Sequence, residues 1–600
     1  MRKSGLLLTL LFSTFALLAS FPGSAAAQDD PPGRVARLNY IQGSVSYQVS
    51  GDQDWVQADP NRPLTTGDNL WADKDSRGEV HIGSTAIRLS SETGISFLTL
   101  DDRTTQIQLA QGTIEVHLRI LPSGDAFEVD TPNLALTLTQ PGEYRISTDP
   151  NGGSTGVIVR EGAGEVTGGG ETWDLNAGQQ YTFSGTDQLA YSASDAPDFD
   201  DFENWCQSRD QRENNSASAK YVSRDVDGYY DLDDYGSWEA DADYGDVWVP
   251  SGVAAGWVPY HMGHWVFVEP WGWTWVDSEP WGWAPFHYGR WIYARDHWGW
   301  VPGPIVVRPV YAPAVVGFVG GGGFGLSVAF GGGVAGVGWF PLGPRDVFVP
   351  GYHCSPRYFQ TINVTNTRVV DVTVVRNVYT SAVIDHDVSH VNYMYANNEH
   401  AVTVVSRDTF VNARAVDRDT VHINGDQMRA ARVVDSAPLA PTRSSYVSAT
   451  AHVSNARPAY SFAQRPVVAK LNPAVTTERR APVYTNDSRE FNQPRPENNN
   501  PPANSQSNNG FRSFTPPAGS NNRNAAQPDN RNSLNQSNQG RQYEDRPAMK
   551  YTQPTKARDE MYDVHPPLNQ KSESKPPEQH SEQHSGQHSE SHSSAPPPKK

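Results

Sequence analysis

Between residues 35 and 184, glycines divide the chain into short runs in which apolar and polar residues alternate, and this period of two restricts the fold more than any other feature. After Gly112, for instance, Ile114, Val116 and Leu118 alternate with Glu115, His117 and Arg119. Successive side chains of an extended strand point to opposite faces, so the first set faces a core and the second faces away from it. Comparable runs occupy residues 38–49, 79–89, 105–120, 127–138, 144–147 and 156–166. Short strands separated by turn residues at this spacing predict an all-β sandwich, barrel or solenoid.

Composition limits how much of the 600-residue chain shares that character. Apolar residues make up 37%, below the roughly 45–50% (glycine included) of ordinary globular chains, while 51 glycines and 45 prolines interrupt it. The formal charge of −19 opposes sequence-independent nucleic-acid binding, which needs a basic surface to displace counterions from phosphate. With only Cys206 and Cys354, the chain has neither a disulfide-dense scaffold nor a thiolate zinc cluster.

Arg2 and Lys3 precede an uncharged apolar run from Gly5 to Leu18, which leads to Ser24-Ala25-Ala26-Ala27. A basic start, a short apolar stretch and small residues at an A-x-A site predict a signal peptide over residues 1–27, cleaved after Ala27. The expected location is the periplasm or the exterior, with no transmembrane helix after cleavage. In an oxidising compartment Cys206 and Cys354 are a candidate disulfide, closing a loop of about 150 residues.

The turns of the first region carry an ordered pattern. Gly43-Ser44-Val45 is followed by Pro63-Leu64-Thr65-Thr66-Gly67-Asp68-Asn69-Leu70, Gly78-Glu79-Val80, Leu109-Ala110-Gln111-Gly112-Thr113 and Thr131-Pro132-Asn133. Pro141-Gly142-Glu143-Tyr144-Arg145-Ile146, Arg160-Glu161-Gly162 and Leu175-Asn176-Ala177-Gly178-Gln179-Gln180 complete it. In order and spacing this resembles the FecR-type domain, the periplasmic part of ferric-citrate regulators, over residues 28–185. The resemblance implies an all-β sensing or interaction domain with no catalytic residues to carry over. Those regulators place a cytoplasmic anti-sigma segment and a membrane helix before the domain. A leader with a cleavage site stands there instead, so direct signalling to a sigma factor is not expected.

From Asp195 to Asp246 there are 16 acidic and 4 basic residues, a net of −12. Asp225-Val226-Asp227-Gly228 and Asp241-Ala242-Asp243-Tyr244-Gly245-Asp246 cluster oxygens without matching a calcium-loop pattern, so residues 186–246 read as a solvated acidic linker.

Twelve of the 17 tryptophans lie between Trp238 and Trp300, and Gly256-Trp257-Val258-Pro259-Tyr260-His261 recurs as Gly282-Trp283-Ala284-Pro285-Phe286-His287 at an offset of 26. Residues 247–350 therefore read as a Trp/Gly-rich β-hairpin repeat module, with Gly263 and Gly289 at the expected turns. The rings either fill a core poor in aliphatic residues or stand exposed as stacking platforms. On the second reading the candidate ligand-binding residues are Trp257, Tyr260, Trp265, Trp283, Phe286 and Trp291. His261, His264 and His287 lack further ligands at fixed spacing, so neither a metal nor another cofactor is expected. Residues 309–344 carry no charge, but glycine is too frequent there for a membrane helix, and residues 315–319 and 326–330 are expected to pair as a hairpin. An FecR-like domain followed by this module resembles a family of exported bacterial proteins to which no activity is assigned.

Residues 351–436 are a Val/Asn-rich extension, and residues 437–600, dominated by Asn, Pro, Ser and Gln, read as a disordered low-complexity tail. No nucleophile and base pair, P-loop or dinucleotide fingerprint is present. The expectation is a non-enzymatic envelope interaction, sensing or scaffold protein without an anti-sigma part, its partner an envelope protein or a cell-surface glycan. The alternative is a carbohydrate or cell-wall binding protein using the repeat aromatics.

Overall fold

A computed structural model describes residues 30–320, 336–474 and 512–514, apart from 369–370, 389, 423–430, 435, 438, 449–452 and 460–464. The expected leader and cleavage site, the 326–330 strand and most of the expected tail lie outside the described residues.

The chain is all-β in class. The alternating region forms a sandwich of two sheets that share one long strand, Thr104–Leu118. Its N-terminal half pairs with Thr93–Leu100 and, in parallel, with Ala126–Asp130. Its C-terminal half pairs with Thr85–Leu89 and Gly142–Thr148 in the other sheet, hereafter the first sheet, so Thr93–Leu100 and Ala126–Asp130 belong to the second. The strand crosses over at Gly112, whose φ of +94° is a conformation other residues adopt at a cost. Ile114, Val116 and Leu118 lie in the core between the sheets, as their alternation predicts. Each such side chain contributes roughly 1.5–3 kcal/mol by leaving water.

The sandwich continues beyond residue 185. Ala190–Asp195 adds a strand beside Gln179–Ser184, and the acidic segment then folds as a helix, Asp201–Asn214. Asp200 caps the helix by accepting from the Phe202 and Glu203 amides at 3.0 and 2.9 Å. The expected solvated linker is thus a structured connector: Glu203, Asp210, Glu213, Asp227 and Asp231 are buried. Burial became possible because the outward face of the neighbouring sheet carries Arg88, Arg145 and Arg160, which pair with Glu203, Asp210 and Glu213, while Arg37 takes Asp227 and Asp231.

Each tryptophan repeat supplies a hairpin, Gly263–Val268 with Gly272–Asp277 and Arg290–Ala294 with His297–Val301. Gly263 and Gly289 do not form the turns as expected. Gly263 opens its strand opposite Asp277, Gly289 directly precedes the strand that Arg290 opens, and the second hairpin turns at Arg295 and Asp296, both with positive φ. A third sheet joins Val316–Gly320 to Gly336–Pro341 and then to Thr403–Ser406 and Arg432–Val434, so the extension completes this module. The chain also stays on the body past residue 437. Tyr446 is buried, and Val467–Ala469 returns to the sandwich, where the Val468 amide donates to Thr131 O at 2.9 Å. Among the described residues no helix is long and apolar enough to cross a membrane.

Candidate ligand cleft and its ionic frame

The outward residues of the first sheet meet the connector helix in a buried ionic layer. Arg88 is central: its Nε donates to Glu79 Oε2 at 2.7 Å, while Nη1 and Nη2 grip both oxygens of Asp210 at 3.0 and 2.8 Å. Arg209 of the helix donates to both oxygens of Glu79 at 2.9 and 2.7 Å. His117 Nδ1 lies 2.6 Å from Asp210, and Arg119 donates to Glu213 at 3.0 Å. Burial alone would raise the Asp210 pKa, but His117 and Arg88 outweigh it and hold the carboxyl at about 2. Glu79 is likewise held well below the usual carboxylate range, Arg88 overcoming its burial.

Glu79, His81 and Glu213, and separately His117, Glu143 and Asp210, gather atoms within 4.8 Å that could ligate a metal. Guanidinium groups of Arg88, Arg209 and Arg119 already take oxygens of both sets, which makes them ion-pair networks. Arg37 carries the layer into the tryptophan module. It bonds Asn61 Oδ1 at 2.9 Å, Asp231 Oδ2 at 3.0 Å and Pro280 O at 3.2 Å, and its guanidinium lies 5.6 Å from the Trp283 ring centroid.

At this junction opens a cleft of about 570 Å³. Leu118, Ile120, Leu121 and Phe127 of the sandwich line one side, and Tyr288 and Val310 of the tryptophan module the other. Five aspartates (30, 102, 125, 225, 227) and four arginines (34, 103, 308, 357) also line it, so its polar lining is mixed in sign and almost balanced. Arg308 pairs with Asp125, takes a bond from its own amide to Asp225 Oδ2 at 3.1 Å, and donates to Asp102 O at 3.1 Å. Arg34 donates through Nε to Asp101 O, and its buried Nη2 has no partner among the described residues. Burial, helped by the like charge of Arg308, lowers the Arg34 pKa to about 10. A lining divided about evenly between apolar side chains and charged or hydroxyl ones, at this volume, fits a small polar molecule or a peptide.

The six aromatic candidates occupy the core instead. Tyr260, Trp265, Trp283, Phe286 and Trp291 are at most 1% exposed, and the partly buried Trp257 packs edge-on against Trp281 and Trp291 at 5.9 and 5.6 Å. Their exposed-platform reading is corrected by this packing: the rings stack on one another and on buried valines of the same core. Trp283 alone of the six also borders the cleft. His287 Nδ1 donates to Ala312 O, 2.8 Å away, inside that core.

The candidate disulfide is also corrected. Cys206 and Cys354 are free and buried in different surroundings, Cys206 against Glu115 and Arg88 and Cys354 near Asp30 and Tyr379. Burial pushes both thiols up, Cys354 to about 12, so both stay protonated near neutral pH.

The cleft residues come from separate stretches of chain, and no local motif announces them. The ionic layer did leave a signal, the outward Glu115, His117 and Arg119 together with the concentrated acidity after Asp195.

Residues 229–346 match a family of unknown function, DUF6600. No curated protein matches the chain. Two solved structures of a proposed anti-sigma factor from Parabacteroides distasonis are each similar over 23% of this chain and 64% of theirs, at 16% identity and a TM-score of 0.21. The chain thus spans a little under two thirds of the length of the solved chains it matches.

Proposed function

We propose that this chain is an exported, non-enzymatic binding and sensing protein of the envelope that takes an extended peptide segment of another envelope protein in the junction cleft. The cleft is the observation that carries this reading: it joins an apolar lining to nearly balanced acidic and basic groups. A peptide presents both donors and acceptors along its backbone and charges of either sign, which suits such walls better than a uniformly anionic or cationic ligand. Protonated, buried thiols agree with a binding role, since a nucleophilic cysteine works as the thiolate. The order of turn motifs in residues 28–185 supports an FecR-like sensing domain, and the leader composition supports export. A route to a sigma factor would then run through the bound partner.

Ile120 and Val307 line the cleft and are 44% and 69% exposed, so a charge at either should not disturb the core. The test compares proteins captured from envelope extract by the mature chain and by its Ile120→Asp and Val307→Asp variants. Loss of one defined partner in both variants, with unchanged melting temperatures, is the expected result. Identical capture by all three forms would remove the cleft from the function.

A further inference from the structure

On the second sheet of the sandwich, far from any tryptophan repeat in sequence, the outward face holds a group of buried polar side chains. Gln106 and Gln108 stand opposite Glu128 and Asp130 in the parallel register, and Glu128 stands opposite Thr137 in the antiparallel one. Adjacent strands are about 4.8 Å apart, so these residues form one patch. Segment 465–474 lies across it. The Lys470 and Leu471 amides donate to Glu128 Oε1 at 3.0 and 2.9 Å, Ala474 N donates to Thr99 Oγ1 at 2.9 Å, and Gln108 Nε2 donates to Arg465 O at 3.3 Å.

Beneath this strap the charge balance is incomplete. Glu128 and Asp130 are both 0% exposed and within reach of each other, and Gln106 Nε2 donates to both, at 3.3 and 2.8 Å. No arginine or lysine among the described residues pairs with either; the Lys470 ammonium is paired with Glu165. Four buried oxygens, Gln108 Oε1, Glu128 Oε2, Asp130 Oδ1 and the Thr137 hydroxyl, have no hydrogen-bond partner among the described residues. Two touching carboxylates in a dry site repel strongly, and leaving buried acceptors unmet costs about 1–3 kcal/mol each.

We propose that Glu128 and Asp130, with Gln108 and Thr137 beside them, bind a hard divalent cation of the calcium class that fastens segment 465–474 onto the sandwich. The donors are all oxygen and two are anionic, which suits calcium and excludes the softer metals that favour nitrogen or sulfur. One cation neutralises both carboxylates and gives the orphan oxygens of Glu128 and Asp130 a partner, with Gln108 opposite Asp130 and Thr137 opposite Glu128 as neighbouring donors. A single shared proton would neutralise one charge and serve two. Burial and the neighbouring Glu128 push the Asp130 pKa well up. This site is independent of the junction cleft, and its test does not depend on the cleft's ligand.

The test uses the mature chain stripped with a chelator and titrated calorimetrically with calcium chloride. The expected result is binding at about 10⁻⁴–10⁻³ M, as in extracellular calcium modules. Glu128→Gln and Asp130→Asn, which keep shape while removing charge, should each weaken it at least tenfold. Hydrogen exchange should show amides 467–471 protected by calcium in the wild type only. Calcium binding that both variants retain would overturn the proposal, as would absent binding. A proton-sharing pair would reveal itself by calcium-independent protection of 467–471 that increases on acidification in the wild type and not in Asp130→Asn, and that outcome too would overturn it.

Discussion

Arg88 joins two strands of one sheet to the connector helix through a side chain with no solvent exposure. Removing it leaves Glu79 and Asp210 buried with reduced compensation, the case in which breaking a buried pair is expensive. Arg88→Met should destabilise the chain by about 3–5 kcal/mol in urea unfolding at pH 7; a change below about 1 kcal/mol would show that the neighbouring arginines suffice. His287 gives the opposite sign of problem. It is 0% exposed, and burial lowers its pKa to about 3, so the unfolded chain gains a proton below about 6.5 that the folded chain refuses. Stability is therefore full above about pH 6.5 and falls by about 1.4 kcal/mol per unit as pH drops toward 3. His287→Gln, which retains a donor for Ala312 O, should flatten that acid limb between pH 6.5 and 4. Asp210 loses its contribution only at lower pH, as the pH falls from about 4 through about 2.

At the scale of elements, the long strand Thr104–Leu118 serves both sheets because Gly112 lets it cross. A Cβ there would lie 2.5 Å from Thr93 Cα, in backbone that cannot swing aside. Gly124 has a similar φ of +89° but open space around it. Gly112→Ala should thus cost more than Gly124→Ala, which bears only the conformational penalty of roughly 1–2 kcal/mol. Equal melting temperatures for the two variants would mean that the strand does not need its close approach to Thr93. The alternation of Ile114, Val116 and Leu118 with charged neighbours made this strand legible from the sequence. The hairpin turns were less so: Arg295 and Asp296 make one with positive φ, whereas Gly263 gives room to Trp275, and Gly289, at φ +69°, bends the chain before its strand and gives room to Trp300. A glycine needed for space and one needed for a turn look alike in sequence.

For the whole molecule, the connector is the part that changes most between sequence and structure. Its acids could be counted, yet their fate depended on arginines at positions 37, 88, 145 and 160, far away in the chain. A fragment of residues 28–235 should melt several degrees above a fragment of residues 28–195, because only the longer one covers the ionic face of the first sheet; equal melting temperatures would show that the connector adds nothing to the sandwich. The aromatic residues followed the same logic. Their period and abundance could be read directly, but burial versus exposure was decided by which elements packed over them, including Phe410 against Trp265 at 5.2 Å. Sequence by itself determined the all-β class, the inward and outward faces of the strands and the placement of acidity, because these follow from local periodicity and composition. Only the tertiary structure decided that the acids are paired, that the rings form a core, that the two cysteines stay apart and that a cleft opens at the junction. Those outcomes depend on contacts between residues tens to hundreds of positions apart, which no local pattern encodes.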